Sequence, residues 1–279
     1  MKVRLLLFAL FICSFSVSAQ NDRSTIKILA IGNSFSVDAI ESYLSDLAIA
    51  ADVPMVIGNL FISGCSLEKH WNCAKDDLAK YDYNKINEKG ERETITNSTL
   101  LNALTDEDWD YISFQQISSL SGIYDSFLPY LENLLEYVKS NAQSPDSLKY
   151  ILHMTWAYET TSNHPAFVNY GKDQIVMYEA IKSTCTRIAQ TLGFDCIIPS
   201  GTTIQYVRQA TNKNVCRDGF HLNSGLGKYA ASCTWFEALS GQSVVGNPFY
   251  PEEEMTLTDA FIAQIAAQKA VDEMVISKK

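Results

Sequence analysis

The stretch IKILAIGNSFSVDAI, residues 26–40, decides the fold. Ile26, Ile28, Leu29, Ala30 and Ile31 form an apolar run interrupted only by Lys27, and the run stops at Gly32-Asn33-Ser34. A continuous apolar segment this short suits a strand buried on both faces, as in a parallel sheet, better than the alternation of a half-solvated strand. Beyond Gly32 the pattern becomes helical, so the stretch reads as strand, sharp turn and helix. It also leaves one question open. Ser34 or Ser36 can be an ordinary helix N-cap, or Ser34 can be a nucleophile held at the carboxyl end of the strand.

Outward from this unit, strand-like runs recur at Met55–Phe61, Asp110–Gln115, Tyr150–Met154 and Asp195–Ile198. Helical patterns fall between and after them, at 37–50, 124–142, 166–192, 225–240 and 256–276. Strands alternating with helices predict parallel pairing. The expectation is an α/β fold of the flavodoxin type, a three-layer α/β/α sandwich around a mainly parallel five-stranded sheet. Residues 20–279 read as a single domain without repeats or linkers. The polar segment at about 72–107, with YDYNKINEKGERETI, reads as a surface hairpin inserted between the second and third strands. It is either a solvated excursion or a flap over a substrate cleft.

Lys2 and Arg4 precede the apolar stretch from Leu5 to Val17, and Val17-Ser18-Ala19 ends in small residues. Residues 1–19 therefore read as a signal peptide cleaved after Ala19, since the apolar run is too short to cross a bilayer core of ~30 Å. Ile12 before Cys13 argues against a lipoprotein-type site. The mature chain is expected to be exported, periplasmic or extracellular, with no membrane anchor. A formal charge of -10 argues against a nucleic-acid partner, which requires clustered Lys and Arg. Without Cys13 six cysteines remain, an even number that makes disulfides plausible in an exported chain, with the pairing open. No C-x-x-C spacing occurs, so neither metal nor cofactor is expected.

In open parallel sheets, ligands bind beyond the carboxyl ends of the strands. Four features belong there. Gly32-Asn33-Ser34-Phe35-Ser36 supplies a serine among backbone N–H groups. In CRDGFHLNSGLGKYA, Asp218 and His221 stand three apart, so that the carboxylate can accept from one imidazole nitrogen while the other takes a proton from a hydroxyl. The competing reading makes Asp218 a turn cap and His221 a buried polar residue. Of the other histidines, His70, His153 and His164, none has an acid three positions upstream. In ISGCSLEKHW, Gly64 can turn a backbone N–H toward an oxyanion, and in WDYISFQQISSLSG a glutamine amide can supply another donor.

Taken together, IGNSFS at 31–36, SGCS at 63–66 and DGFH at 218–221 resemble three blocks of the SGNH (GDSL-type) hydrolase superfamily, and most closely an exported bacterial branch with a GNSFS first block. The resemblance implies a serine ester hydrolase with Ser34, Asp218 and His221 as its triad, and an oxyanion hole from Ser34, Gly64 and a side-chain amide. The third block departs from the family's Gly-x-Asn-Asp: this chain reads FQQISSLSG. Its amide role passes to Gln116, with Gln115 as the substitute. If neither reaches, the N–H groups of Ser34 and Gly64 have to suffice. Trp156 and Tyr158 in HMTWAYE, and Trp71, are candidates for an aromatic wall around substrate, with a core role as the alternative. The implied partner is a small-molecule or glycan ester, with loss of a small acyl group such as acetyl from a carbohydrate. A noncatalytic carbohydrate-binding protein on the same scaffold, or a lipid or aryl esterase or thioesterase, are the alternatives.

Overall fold

A computed structural model of the chain describes residues 24–274. The expected leader, residues 1–19, lies outside them. The elements run β1 (Ile26–Gly32), α1 (Ser34–Ser36), α2 (Leu44–Ala50), β2 (Met55–Phe61), α3 (Leu67–Lys75), β3 (Tyr81–Ile86), β4 (Arg92–Ser98) and α4 (Leu100–Asp106). They continue with β5 (Tyr111–Phe114), α5 (Tyr130–Asn141), β6 (Lys149–His153), α6 (Gln174–Leu192), β7 (Cys196–Ile198), α7 (Ser200–Ala210), α8 (Leu226–Ser240) and α9 (Leu257–Glu273). A π-helical turn, Val37–Glu41, continues directly from α1.

The sheet has seven strands in the order β4-β3-β2-β1-β5-β6-β7, which corrects the expected five. The five anticipated strands are the parallel ones, and β1 lies between β2 and β5. Ile28, Leu29, Ala30 and Ile31 are all buried, as the unbroken apolar run requires. The two additional strands come from the polar insertion. β3 pairs antiparallel with β2, and β4 with β3. They form the expected hairpin, and its polar sequence fits an edge because β4 is solvated along nearly its whole length.

This hairpin is not a flap over the cleft. Ile57, near the amino end of β2, pairs with Ile86, so the tip at 87–91 lies beyond the amino ends of the parallel strands. There Thr25 donates to Glu88 at 2.7 Å, at the end of β1 opposite Ser34.

Two groups of helices enclose the sheet. α3, α4 and α5 pack together, as do α2, the π-turn, α7, α8 and α9, while α6 meets α7 beside β7. α3, α4 and α7 were not anticipated. α7 begins SGTT, a poor helix-forming start, and is held by burial instead: a Cβ on Gly201 would fall 2.2 Å from the Thr155 carbonyl oxygen. Tertiary packing of this kind overrides propensity.

Candidate active site

Ser34 is the first residue of α1, with only Asn33 between it and the end of β1, beside the point where strand order reverses between β1 and β5. This is where an open α/β sheet leaves its binding crevice. The N-cap is Asn33, and neither Ser34 nor Ser36 takes that place: Asn33 Oδ1 accepts from Phe35 N at 3.0 Å. Ser36 is buried and donates to the Asn33 carbonyl at 2.7 Å, with Asn59 Oδ1 at 2.8 Å. Gly32 permits this fold-back, because a Cβ at that position would sit 2.1 Å from Ser36 Oγ. Ser34, relieved of capping, is half-buried with its hydroxyl free to turn toward the cleft.

The opposite wall is the loop 216–222, closed by Arg217 N donating to the His221 carbonyl at 2.8 Å. Asp218 Oδ1 accepts from the backbone N–H groups of Phe220 at 3.2 Å and His221 at 2.8 Å. Its Oδ2 lies 2.7 Å from His221 Nδ1. The carboxylate can only accept there, so Nδ1 carries the proton and Nε2 is an acceptor. Nε2 is 2.9 Å from Ser34 Oγ. Gly219, at φ +89°, lets the loop lie against Ser162, whose Cα would be 3.1 Å from a Cβ. Burial raises the Asp218 pKa, but hydrogen bonds from the His221 ring and from two backbone N–H groups outweigh it and hold the carboxyl below its usual range.

Asp38, on the π-turn, joins the two walls. Its buried carboxylate accepts from Arg217 Nη1 at 3.0 Å and from Leu222 N at 2.9 Å, and Lys228 Nζ lies 3.6 Å away. Arg217 Nη1 also donates to the Leu222 carbonyl. Nothing in the sequence marks Asp38 for this role. Its partners are too distant along the chain to be found by spacing.

The second-block turn packs beside the first. Ile62 N donates to the Gly32 carbonyl at 3.4 Å, Cys65 N to the Ile62 carbonyl at 3.2 Å, and Asn33 Nδ2 to the Cys65 carbonyl at 3.0 Å. Gly64 is the third residue of this turn, at φ +57°, exposed and with nothing within 4 Å of where a Cβ would be. The glutamines correct the sequence reading. Gln116 Nε2 donates to the carbonyl and hydroxyl of Ser126 at 2.8 and 3.2 Å, and its Oε1 accepts from Leu67 N at 3.0 Å. Gln115 Nε2 donates to Asn33 Oδ1 at 2.8 Å. Both side chains are buried, and both amides are engaged within the protein.

Gln115 continues into a histidine that sequence reading passed over. Its Oε1 lies 2.7 Å from His153 Nδ1, and His153 Nε2 lies 3.0 Å from Ser200 Oγ. Burial lowers the His153 pKa to about 3, so the ring is neutral. Its only sequence signal was a polar residue at the end of a buried strand.

Trp156 and Tyr158 are fully buried and form no aromatic wall. Trp156 stacks on Phe35 at 4.3 Å and donates from Nε1 to the Phe220 carbonyl at 2.7 Å, bracing both walls from beneath. Trp71, on α3, is half-buried against the core. The rings near the surface are instead Phe220, 4.2 Å from His221, and His164, 4.9 Å from Phe220. They line a shallow depression beside Asp218 together with Thr161, Asn163 and Arg217. The His164 pKa is lowered, first by burial and then by His221.

The six cysteines Cys65, Cys73, Cys185, Cys196, Cys216 and Cys233 are free thiols. Among the described residues no cluster of His, Cys, Asp and Glu could hold a metal ion, and no helix is long and apolar enough to cross a membrane.

Residues 27–270 match the model of a family described as "Domain of unknown function (DUF4886)". A crystal structure of a DUF4886 family protein from Bacteroides uniformis is similar with 43% identity and a TM-score of 0.86, over 91% of this chain and 98% of that one. A protein from Slackia heliotrinireducens assigned to the SGNH hydrolases is similar in fold, with a TM-score of 0.50 and 16% identity over 77% of this chain and 98% of that one. Among curated proteins no sequence matches.

Proposed function

This chain belongs to the DUF4886 family, and from the geometry of its site we propose that it is an exported serine ester hydrolase that removes a small acyl group, such as acetyl, from a carbohydrate. One observation carries the reading: Ser34 Oγ, His221 and Asp218 form an unbroken chain with contacts of 2.9 and 2.7 Å. Ser34 attacks the ester carbonyl while His221 Nε2 takes its proton, and Asp218 steadies the imidazolium that forms. The tetrahedral oxyanion is held by the N–H groups of Ser34 and Gly64. His221 then protonates the departing alcohol, and water repeats the sequence on the acyl-enzyme.

The carbohydrate assignment is supported by the depression beside Asp218. Its aromatic edges and its Thr161, Asn163 and Arg217 side chains suit a hydroxylated alcohol better than a long acyl chain. Ser34→Ala is expected to abolish hydrolysis of a short-chain nitrophenyl ester and labelling by a fluorophosphonate, with the thermal midpoint within a few degrees of the wild type. Undiminished turnover in that variant overturns the proposal. The absence of a free side-chain amide at the third block gives the binding-protein alternative its one support, and sugar binding without labelling of wild-type Ser34 would select it.

A further inference from the structure

Neither glutamine amide is available to an oxyanion, yet Gln115 lies at the switch point with both ends hydrogen-bonded in the core. Every bond in its chain has a fixed direction. Phe35 N–H donates to Asn33 Oδ1, which identifies the acceptor end of that amide and leaves Asn33 Nδ2 to donate to the Cys65 carbonyl. Gln115 must therefore present Nε2 to the same Oδ1 and Oε1 to His153. Since Oε1 can only accept, His153 holds its proton on Nδ1, and Nε2 accepts from the Ser200 hydroxyl. Asn33, Gln115, His153 and Ser200 are each no more than 2% exposed, so these groups are shielded from bulk solvent.

Asn33 is the point where this chain meets the chemistry. It precedes Ser34, and through Cys65 it ties down the turn that carries Gly64. The spacing of the two backbone N–H groups thus depends on one amide orientation, which Gln115 enforces from one side and Phe35 N from the other. We infer that Gln115 and His153 are positioning residues that replace the missing third-block donor indirectly, by holding Asn33 so that the N–H groups of Ser34 and Gly64 converge on one oxygen. The inference rests on the ester-hydrolase reading for its catalytic consequence, while the positioning itself is a property of the fold.

The test uses the different reach of two side chains. An asparagine amide places its nitrogen near where an imidazole has Nδ1, whereas a glutamine amide reaches the Nε2 position. His153→Asn is expected to keep the donor to Gln115 and retain kcat within about threefold. His153→Gln keeps only the Ser200 contact and, like Gln115→Leu, is expected to lower kcat per titrated serine by about 100-fold, with KM changed less than about threefold. Thermal midpoints of all three variants, taken alongside, separate lost stability from lost positioning. Equal loss in the two His153 variants, or wild-type kcat in Gln115→Leu, overturns the inference. A second measurement does not depend on turnover. The ¹H–¹⁵N resonances of the Ser34 and Gly64 amides are expected to move in Gln115→Leu and His153→Gln and to stay in His153→Asn. Unmoved resonances in all three overturn the positioning role. A wild type that neither hydrolyses esters nor labels at Ser34 overturns the hydrolase reading, and the resonances still decide the positioning.

Discussion

His221 and His153 each bridge two partners at hydrogen-bond distance, 2.7 and 2.9 Å for the first and 2.7 and 3.0 Å for the second. They lie in contrasting regions. His221 sits on a surface loop opposite a carboxylate, where a proton arriving on its ring is balanced by charge and by solvent. His153 sits in the core between an amide and a hydroxyl, where burial forbids that proton. The first environment lets a ring change state during a reaction. The second fixes a ring in one state so that its neighbours cannot rotate. One site can need both, and the same residue type serves each because its partners differ.

The contrast can be broken first at the surface loop. Asp38→Ala removes the acceptor for Arg217 and for Leu222 N, and so unhooks the loop that carries His221. A decrease in kcat of about 100-fold is expected, since a misplacement of order 1 Å can cost that much. A stability loss of about 1–3 kcal/mol, measurable by denaturant unfolding, is expected for the orphaned N–H. The Ser34 and Gly64 amides should stay in register, which separates the two regions.

The buried region is sharpened by pH. His153 and His70 are both fully buried, with pKa values lowered to about 3, first of all by desolvation. Unfolded histidine takes up a proton near pH ~6.5, whereas the folded rings do not until far lower. Their share of stability is therefore full above ~6.5 and is lost progressively as pH falls from there toward about 3. Each ring contributes a slope approaching ~1.4 kcal/mol per pH unit well below ~6.5. Unfolding curves between pH 7 and 4 should show this decline, and His153→Asn should reduce it by one ring's share.

The smallest effect is assigned to Asp218. Its carboxyl is lowered in the folded chain, so its stabilising contribution is present above the ordinary Asp value of ~3.9 and disappears as pH falls through the lowered one. The difference in thermal midpoint between wild type and Asp218→Asn should be a few degrees at most at neutral pH and should close in acid. An unchanged difference at every pH would mean that the fold does not hold the Asp218 carboxyl below its usual range.

What the sequence made legible follows the same division. β1 and Gly32-Asn33-Ser34 could be read because burial on both faces leaves an unbroken apolar run, and Asp218-x-x-His221 because its partners are three positions apart. Asp38 could not be read, since its bond to Arg217 spans 179 positions. Gln115 and Gln116 were recognised as important amides, but sequence does not say which way an amide points. Trp156 and Tyr158 were placed at the right edge of the sheet and on the wrong side of its surface, because an aromatic side chain at a strand end carries no mark of burial. β3 and β4 could be read as a hairpin, but not as part of the sheet, because polarity that suits an edge also suits a solvated excursion.

That edge has a consequence for the molecule as a solute. β2 carries Val56, Ile57 and Leu60 in a stretch that would otherwise border solvent, and an apolar strand with unpaired backbone groups recruits other chains. Instead the sheet ends on RETITN, exposed throughout, with a register shift opposite Tyr81 and Tyr83 and with Asn97 in the left-handed region at φ +55°. At the far side β7 is only three residues long. The insertion thus acts as a selvedge: it finishes the sheet so that growth by strand addition has no straight, uncharged border from which to begin.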